Sequence, residues 1–188
     1  MQLLSLNTAR VEHFVATNGE TLASAIRKRA RDGVVRVGPL GLDGDEQADL
    51  SVHGGLAKAV YAYPKAHYAF WHTVRGQAKV AGDLQPGDCG ENLTLDGLLE
   101  SQVWIGDVLR FPDCELVVSE PRYPCFKFNA HMGFNQAAKL MAQSGYCGFY
   151  LSVKREGTVA AGQAFELLPG PREVGIVELF KAKMKKKA

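Results

Sequence analysis

Cysteine is scarce and badly spaced for a cluster. Four occur in 188 residues, at 89, 114, 125 and 147, and no two make a C-x-x-C pair. That argues against a zinc ribbon, an iron–sulfur run or a thioredoxin-type redox pair. No stretch approaches the 18 or so consecutive apolar residues of a membrane-spanning helix. The first 14 residues lack a basic start followed by a long apolar block, so no signal peptide is expected. Thiols without a secretory signal point to a cytoplasmic location. No Rossmann or P-loop glycine fingerprint occurs, and no internal repeat. An excess of charge is missing too. The net charge of +2 comes from five lysines among residues 181–187; without them 17 basic side chains face 20 acidic ones. A nucleic-acid footprint is therefore not expected, and the lysine tail reads as a solvated end.

Glycine, by contrast, is plentiful, with 20 residues. It punctuates short apolar runs: Val34–Val37, Val103–Ile105, Val108–Phe111, Leu116–Val118, Phe149–Val153 and Ala164–Leu168, with Val159 between the last two. Runs of this length at intervals of 8–12 residues suggest a sandwich or barrel. Gly106-Asp107 reads as a hairpin turn joining the second and third runs. Helix signals are fewer. Pro64 can open a helix over Lys65–Val74 that stops at Gly76, and Asn135–Ser144 reads as a second, capped by Gly145. Val177–Lys187 reads as a terminal helix. Glu20–Ala30 has helical composition, yet Ala23, Ala25 and Arg27 alternate with Ser24, Ile26 and Lys28 as in a strand.

Three stretches carry chemistry. The first is GLDGDEQADLSVHGG, residues 41–55. Its glycines permit close approach of backbone N–H groups to an anion. Asp43 and Asp45 read first as turn residues bonding local backbone. His53, directly before Gly54-Gly55, is a candidate proton-transfer residue. A calcium loop is not expected, because the closing glutamate is missing. A zinc site is not expected either, because no second histidine stands three to five residues away. His67 and His72 read as surface residues of the Pro64 helix. The second stretch is Cys89 to Thr94, where Glu91 and Asn92 offer groups that suit the edge of a heterocycle. The third is Pro121 to Phe128. Two prolines keep its backbone extended or turned and present Cys125 between Arg122 and Lys127. Nearby cations favour thiolate, the form that attacks electrophiles and binds soft metals. Cys114 and Cys147 lack such surroundings and read as packing residues.

Together these stretches, with Ala59-Val60-Tyr61 and Tyr63-Pro64 between them, resemble the MOSC domain family, named for the C-terminal domain of molybdenum cofactor sulfurase. The likeness is greatest to its stand-alone bacterial members and runs in order from about residue 20 to about 168. The resemblance implies a mainly β fold: a closed, largely antiparallel barrel of about seven strands with a few peripheral helices. It implies a barrel domain over residues 1–170, with a C-terminal helix and tail over 171–188. It also implies a pyranopterin molybdenum cofactor whose metal takes its protein ligand from Cys125. Arg122, Lys127, Gly54 and Gly55 would hold the cofactor's phosphate, and Glu91 and Asn92 its pterin. Cys89 stands where those relatives usually have an aromatic residue, a second thiol near the site. The implied activity is reduction of N-hydroxylated small molecules, such as hydroxylaminopurine-type bases, with electrons from a separate reductase. Two rivals remain at this level: a cofactor or persulfide carrier, and a metal-independent thiol enzyme with His53 as base.

Overall fold

The computed structural model describes residues 1–16, 19–48 and 54–185. His53 and Asp49 lie outside them. In chain order the strands are β1 (Gln2–Thr8), β2 (Glu12–Val15), β3 (Thr21–Ser24), β4 (Arg29–Ala30), β5 (Val34–Gly38), β6 (Gly41–Leu42), β7 (Val60–Pro64), β8 (Leu93–Asp96), β9 (Val108–Arg110), β10 (Glu115–Pro121), β11 (Phe149–Arg155), β12 (Gly157–Ala160) and β13 (Glu166–Leu168). The α-helices are α1 (Tyr68–Gln77), α2 (Phe126–Met132), α3 (Ala137–Ser144) and α4 (Ile176–Lys185).

Eight strands form one sheet in the order β13-β9-β10-β11-β7-β8-β1-β4. All pairs in it are antiparallel except β7 with β8. Three more strands pair as β12-β5-β6, and β2 pairs with β3. The mainly β, largely antiparallel expectation is met. The closed barrel is not: among the described residues no sheet closes on itself. The last strand, β4, has two residues, both exposed, too few to carry a ladder onward. Between β1 and the segment leading into β13 there is only one isolated bridge, Gln2 with Ala164, besides loop hydrogen bonds such as Leu3 N–H to the Gln163 carbonyl.

Strand β7 explains where the core lies. All five of its residues are buried, as befits a central strand covered on both faces. Val60, Ala62 and Tyr63 pack with Leu3 and Leu6 of β1, Leu93 and Leu95 of β8, and Phe149 of β11. Helix α1 covers this region with Trp71, whose indole N–H donates to the Tyr63 hydroxyl at 2.6 Å. Burial of a polar indole is tolerated because that donor is satisfied.

Two local readings change. Val103–Ile105 is not a strand and Gly106-Asp107 does not join a hairpin. Glu100–Gln102 form a 3-10 turn, and Trp104 makes an isolated bridge to Gly175. The Asp107 carboxylate instead accepts the backbone N–H groups of Trp104 and Gly170, so the turn is tied to the C-terminal segment. His67 is not a surface residue. It is buried, 2.7 Å from the Glu100 carboxylate, with its ring stacked 3.9 Å from that of Tyr146. The Glu20–Ala30 segment resolves toward strand, as β3 and β4.

Candidate functional site

Sheet register assembles the site. One row runs across four strands: Pro121 of β10 opposite Phe149 of β11, Phe149 opposite Ala62 of β7, and Ala62 opposite Leu93 of β8. One step from that row Tyr150, Tyr61 and Asn92 stand on one side of it, and Arg122 stands on the other. All four line a cleft enclosing about 670 Å³ of open space out to the solvent edge. Cys125, Lys127 and Gly90 line it too, as do Lys58, the Ser24–Ile26 segment with Lys28, and the segment from Asp45 to Ala48.

Beyond Pro121 the chain stays extended. Cys125 has φ −128° and ψ 168° and sits at the N-terminal boundary of α2. The two prolines thus set the segment as expected, and helix begins only at Phe126. The Cys125 side chain is part-exposed on the cleft wall, while Cys89, Cys114 and Cys147 are buried and the chain has no disulfide. Burial pushes the Cys89 thiol well above its ordinary pKa, and nearby Glu91 adds to that. Cys89 is accordingly a protonated packing residue in this geometry, not a second thiolate. Burial likewise pushes up the Cys147 thiol, and takes that of Cys114 to about 12.

Arg122 is the unusual group. It is 4% exposed, and no carboxylate lies within ion-pair distance of it among the described residues. Its guanidinium carbon stands 4.6 Å from the centre of the Phe128 ring and 5.2 Å from that of Tyr61. Nη1 donates to the Met141 sulfur at 3.6 Å. Burial works against the charge, but Tyr61, Tyr150, Cys125 and Cys89 outweigh it, and the pKa lies above the usual arginine value. The result is a permanent cation held by aromatic faces, on the wall of a cleft. Desolvating such a charge without an anion is costly.

The remaining candidates separate. The Lys127 ammonium lines the cleft and donates to the Ala23 carbonyl at 2.9 Å. Asn92 reaches the cleft, but its amide is engaged. Its oxygen accepts the Tyr61 N–H, and its nitrogen donates to the Asn7 carbonyl and to Asp45 Oδ2. Glu91 is fully buried and is not on the cleft wall. Its carboxylate accepts from the Tyr68 and Thr94 hydroxyls and from the backbone N–H groups of Gly87 and Cys89. It ties together the turn that carries Gly90. Gly54 and Gly55 do not line the cleft either. Gly55 adopts φ +83°, and its N–H donates to the Gln47 side chain at 2.9 Å.

Two site residues were missed by sequence reasoning. Asp45, taken as a turn residue, accepts the Lys28 ammonium at 2.5 Å, and both side chains are under 10% exposed. The same Oδ1 takes the Ala9 N–H. A signal for Lys28 did exist. Its alternation partners Ser24 and Ile26 line the same cleft, although the strand itself ends at Ser24.

Among the described residues no three His, Cys, Asp or Glu side chains come together as a metal cage. Cys125 is the thiol that this cleft offers to a soft metal.

Comparison with known proteins identifies the family. The MOSC domain model matches residues 49–166. Protein YiiM of Escherichia coli is 40% identical over 155 residues, covering 82% of this chain and 68% of the relative. A Gibberella moniliformis protein named Reductase is 36% identical over 171 residues, 90% of this chain but 29% of that much longer one. The crystal structure of YiiM from Geobacillus stearothermophilus superposes with a TM-score of 0.78 at 27% identity, covering 99% of this chain and 85% of that one. With most of the chain matched by both model and relatives, it belongs to the MOSC domain family.

Proposed function

We propose that this protein binds a pyranopterin molybdenum cofactor and reduces N-hydroxylated small molecules, with Cys125 as the protein ligand to the metal. The observation that carries the reading is the pairing of Cys125 with Arg122 on one cleft wall, Arg122 being buried without a carboxylate partner among the described residues. A thiol suits a soft metal, and a guanidinium without a carboxylate partner suits a phosphate. The residues present therefore fit the group. Family membership and a relative named Reductase agree with an oxidoreductase built on this domain.

When bound, the molybdenum would supply a two-electron redox centre beside Cys125. The protein supplies the rest. Arg122 and Lys127 would hold the anionic end of the cofactor; the aromatic faces of Phe128 and Tyr61 keep the guanidinium in place. The overall change is R–NH–OH plus two electrons and two protons to R–NH2 plus water. The N–O bond breaks, the oxygen leaves as water and the nitrogen gains a hydrogen. The electrons come from a separate reductase, because the sequence has no dinucleotide fingerprint or iron–sulfur run.

The test is metal and pterin analysis of protein expressed in cofactor-making cells, followed by turnover of an N-hydroxylated base with an artificial reductant. The expected result is one molybdenum and one pterin per chain and conversion to the amine. Cofactor bound without conversion would favour the carrier reading. Turnover unaffected by molybdenum depletion would favour the thiol enzyme.

A further inference from the structure

We propose that Lys28, held by Asp45, is the acid of the cleft and donates a proton to the oxygen or nitrogen of the breaking N–O bond. The proposal rests on the reductase reading above, whose stoichiometry consumes two protons at this site.

Geometry comes first. Lys28 Nζ is 2.5 Å from Asp45 Oδ1, and the two side chains are 7% and 6% exposed. Both line the cleft that holds Cys125 and Arg122. Asp45 is saturated: Oδ1 also accepts the Ala9 N–H, and Oδ2 accepts from Asn92. Its position is thereby fixed. The ammonium has three N–H donors, and the one described hydrogen bond it makes is to Asp45. A buried ion pair contributes little net stability compared with an apolar pair of the same shape. Its presence on a cleft wall therefore calls for a reason beyond folding.

The other cations of the cleft are worse acids. Arg122 keeps its proton at any working pH. Lys127 donates to the Ala23 carbonyl and is assigned above to the anionic end of the cofactor, and Lys58 lies 3.7 Å from Glu120 with its side chain about a fifth exposed. The Tyr61 hydroxyl donates to the Cys147 carbonyl, and burial raises the pKa of both Tyr61 and Tyr150. For Lys28, burial lowers the pKa while Asp45, and more distantly Glu91, raise it; the net direction is down. An amine so tuned gives up a proton more readily than a surface lysine and recovers it from solvent through the open cleft.

Kinetics of cofactor-loaded protein across pH test this. Lys28→Met should lower kcat about 100-fold, with KM within about threefold and molybdenum content unchanged. Lys28→Arg keeps the charge and the ion pair but cannot release a proton. It should be nearly as slow and should lose the alkaline decline of kcat that the wild type shows as its acid deprotonates. Asp45→Asn removes the partner that holds the pKa up, so that decline should move to lower pH. If Lys28→Met fails to fold, Lys28→Arg and Asp45→Asn carry the test. Wild-type kcat in Lys28→Arg, or an alkaline limb unmoved in Asp45→Asn, overturns the proposal while leaving the reductase reading standing. A cofactor-loaded wild type that turns over nothing overturns both. In cofactor-free protein, the Lys28 15Nζ resonance, assigned by its loss in Lys28→Arg, should titrate below the usual lysine value of about 10.4. Titration at or above that value is likewise a refutation.

Discussion

The wall of the cleft and the knot behind it are both built from polar side chains close in sequence to a short strand, yet they do opposite things. On the wall, Arg122 is buried with its charge answered by ring faces and a sulfur rather than a carboxylate. Behind it, Glu91 is equally buried, but both oxygens of its carboxylate meet donors: two hydroxyls and a backbone N–H at Oε1, and a backbone N–H at Oε2. The first arrangement leaves an electrostatic demand that a ligand can meet. The second leaves none, and serves to hold the turn through Gly90 against Tyr68 and Thr94. Buried polarity marks a binding site only where its partners within the protein are incomplete.

The sharpest way to break that contrast is at Cys125. Cys125→Ser should lose molybdenum and bring turnover to background, because a hydroxyl is a harder and far less acidic ligand. Stability should change by no more than about 0.5 kcal/mol at this part-exposed position. Metal content by mass spectrometry and a thermal melt check both halves. Cys114→Ser and Cys147→Ser should keep the metal while losing stability, since both thiols are buried in the core.

At Glu91 the expected loss is in folding. Glu91→Ala orphans four donors and should cost on the order of 3–5 kcal/mol, read by denaturant unfolding. Glu91→Gln should cost less, and its cost should depend on pH. Burial raises the Glu91 pKa in the folded state. The stability linked to that shift is present in full below the unfolded carboxylate value of about 4.3 and is lost as pH rises through the folded value. Gln does not titrate, so the gap between wild type and Glu91→Gln should narrow from pH 4 toward pH 7. A gap that widens would place the folded pKa below the unfolded one.

Arg122→Ala should lower cofactor retention about 10- to 100-fold, with Arg122→Lys intermediate, because an ammonium cannot copy the two parallel bonds of a guanidinium. Equal retention in both variants would reduce the contribution of Arg122 to packing against Phe128 and Tyr61. Pterin fluorescence of the purified variants is the readout.

The smallest effect separates two glycines. Gly55 has φ +83°, and nothing lies within 4 Å of where a Cβ would stand. Gly55→Ala should cost about 1–2 kcal/mol of backbone strain and leave pterin content unchanged. Gly90, also at positive φ, would place a Cβ 2.9 Å from Ile26 Cγ1 at the cleft wall. Gly90→Ala should therefore disturb both stability and pterin content. Pterin loss at Gly55→Ala would return the Gly54-Gly55 pair to the ligand's path.

Local sequence was enough for several features. The helix over Ala137–Ser144 and its αL cap at Gly145 follow from apolar spacing and glycine, and helix formation around α1 follows from Pro64. The extended backbone up to Cys125 follows from two prolines that exclude helical dihedrals. Short glycine-bounded apolar runs foretold a mainly β fold. These are properties of a few neighbouring residues, and neighbours are what a sequence displays. Tertiary structure decided the rest. Whether the sheet closes depends on β4, whose two exposed residues end the pairing. Whether Glu91 faces a ligand or the core depends on Tyr68, 23 positions earlier in the chain. Lys28 gains its meaning from Asp45, which folding brings to within 2.5 Å. A side chain's charge is written in its own codon, but its desolvation and its partners come from strands that meet only in the folded molecule.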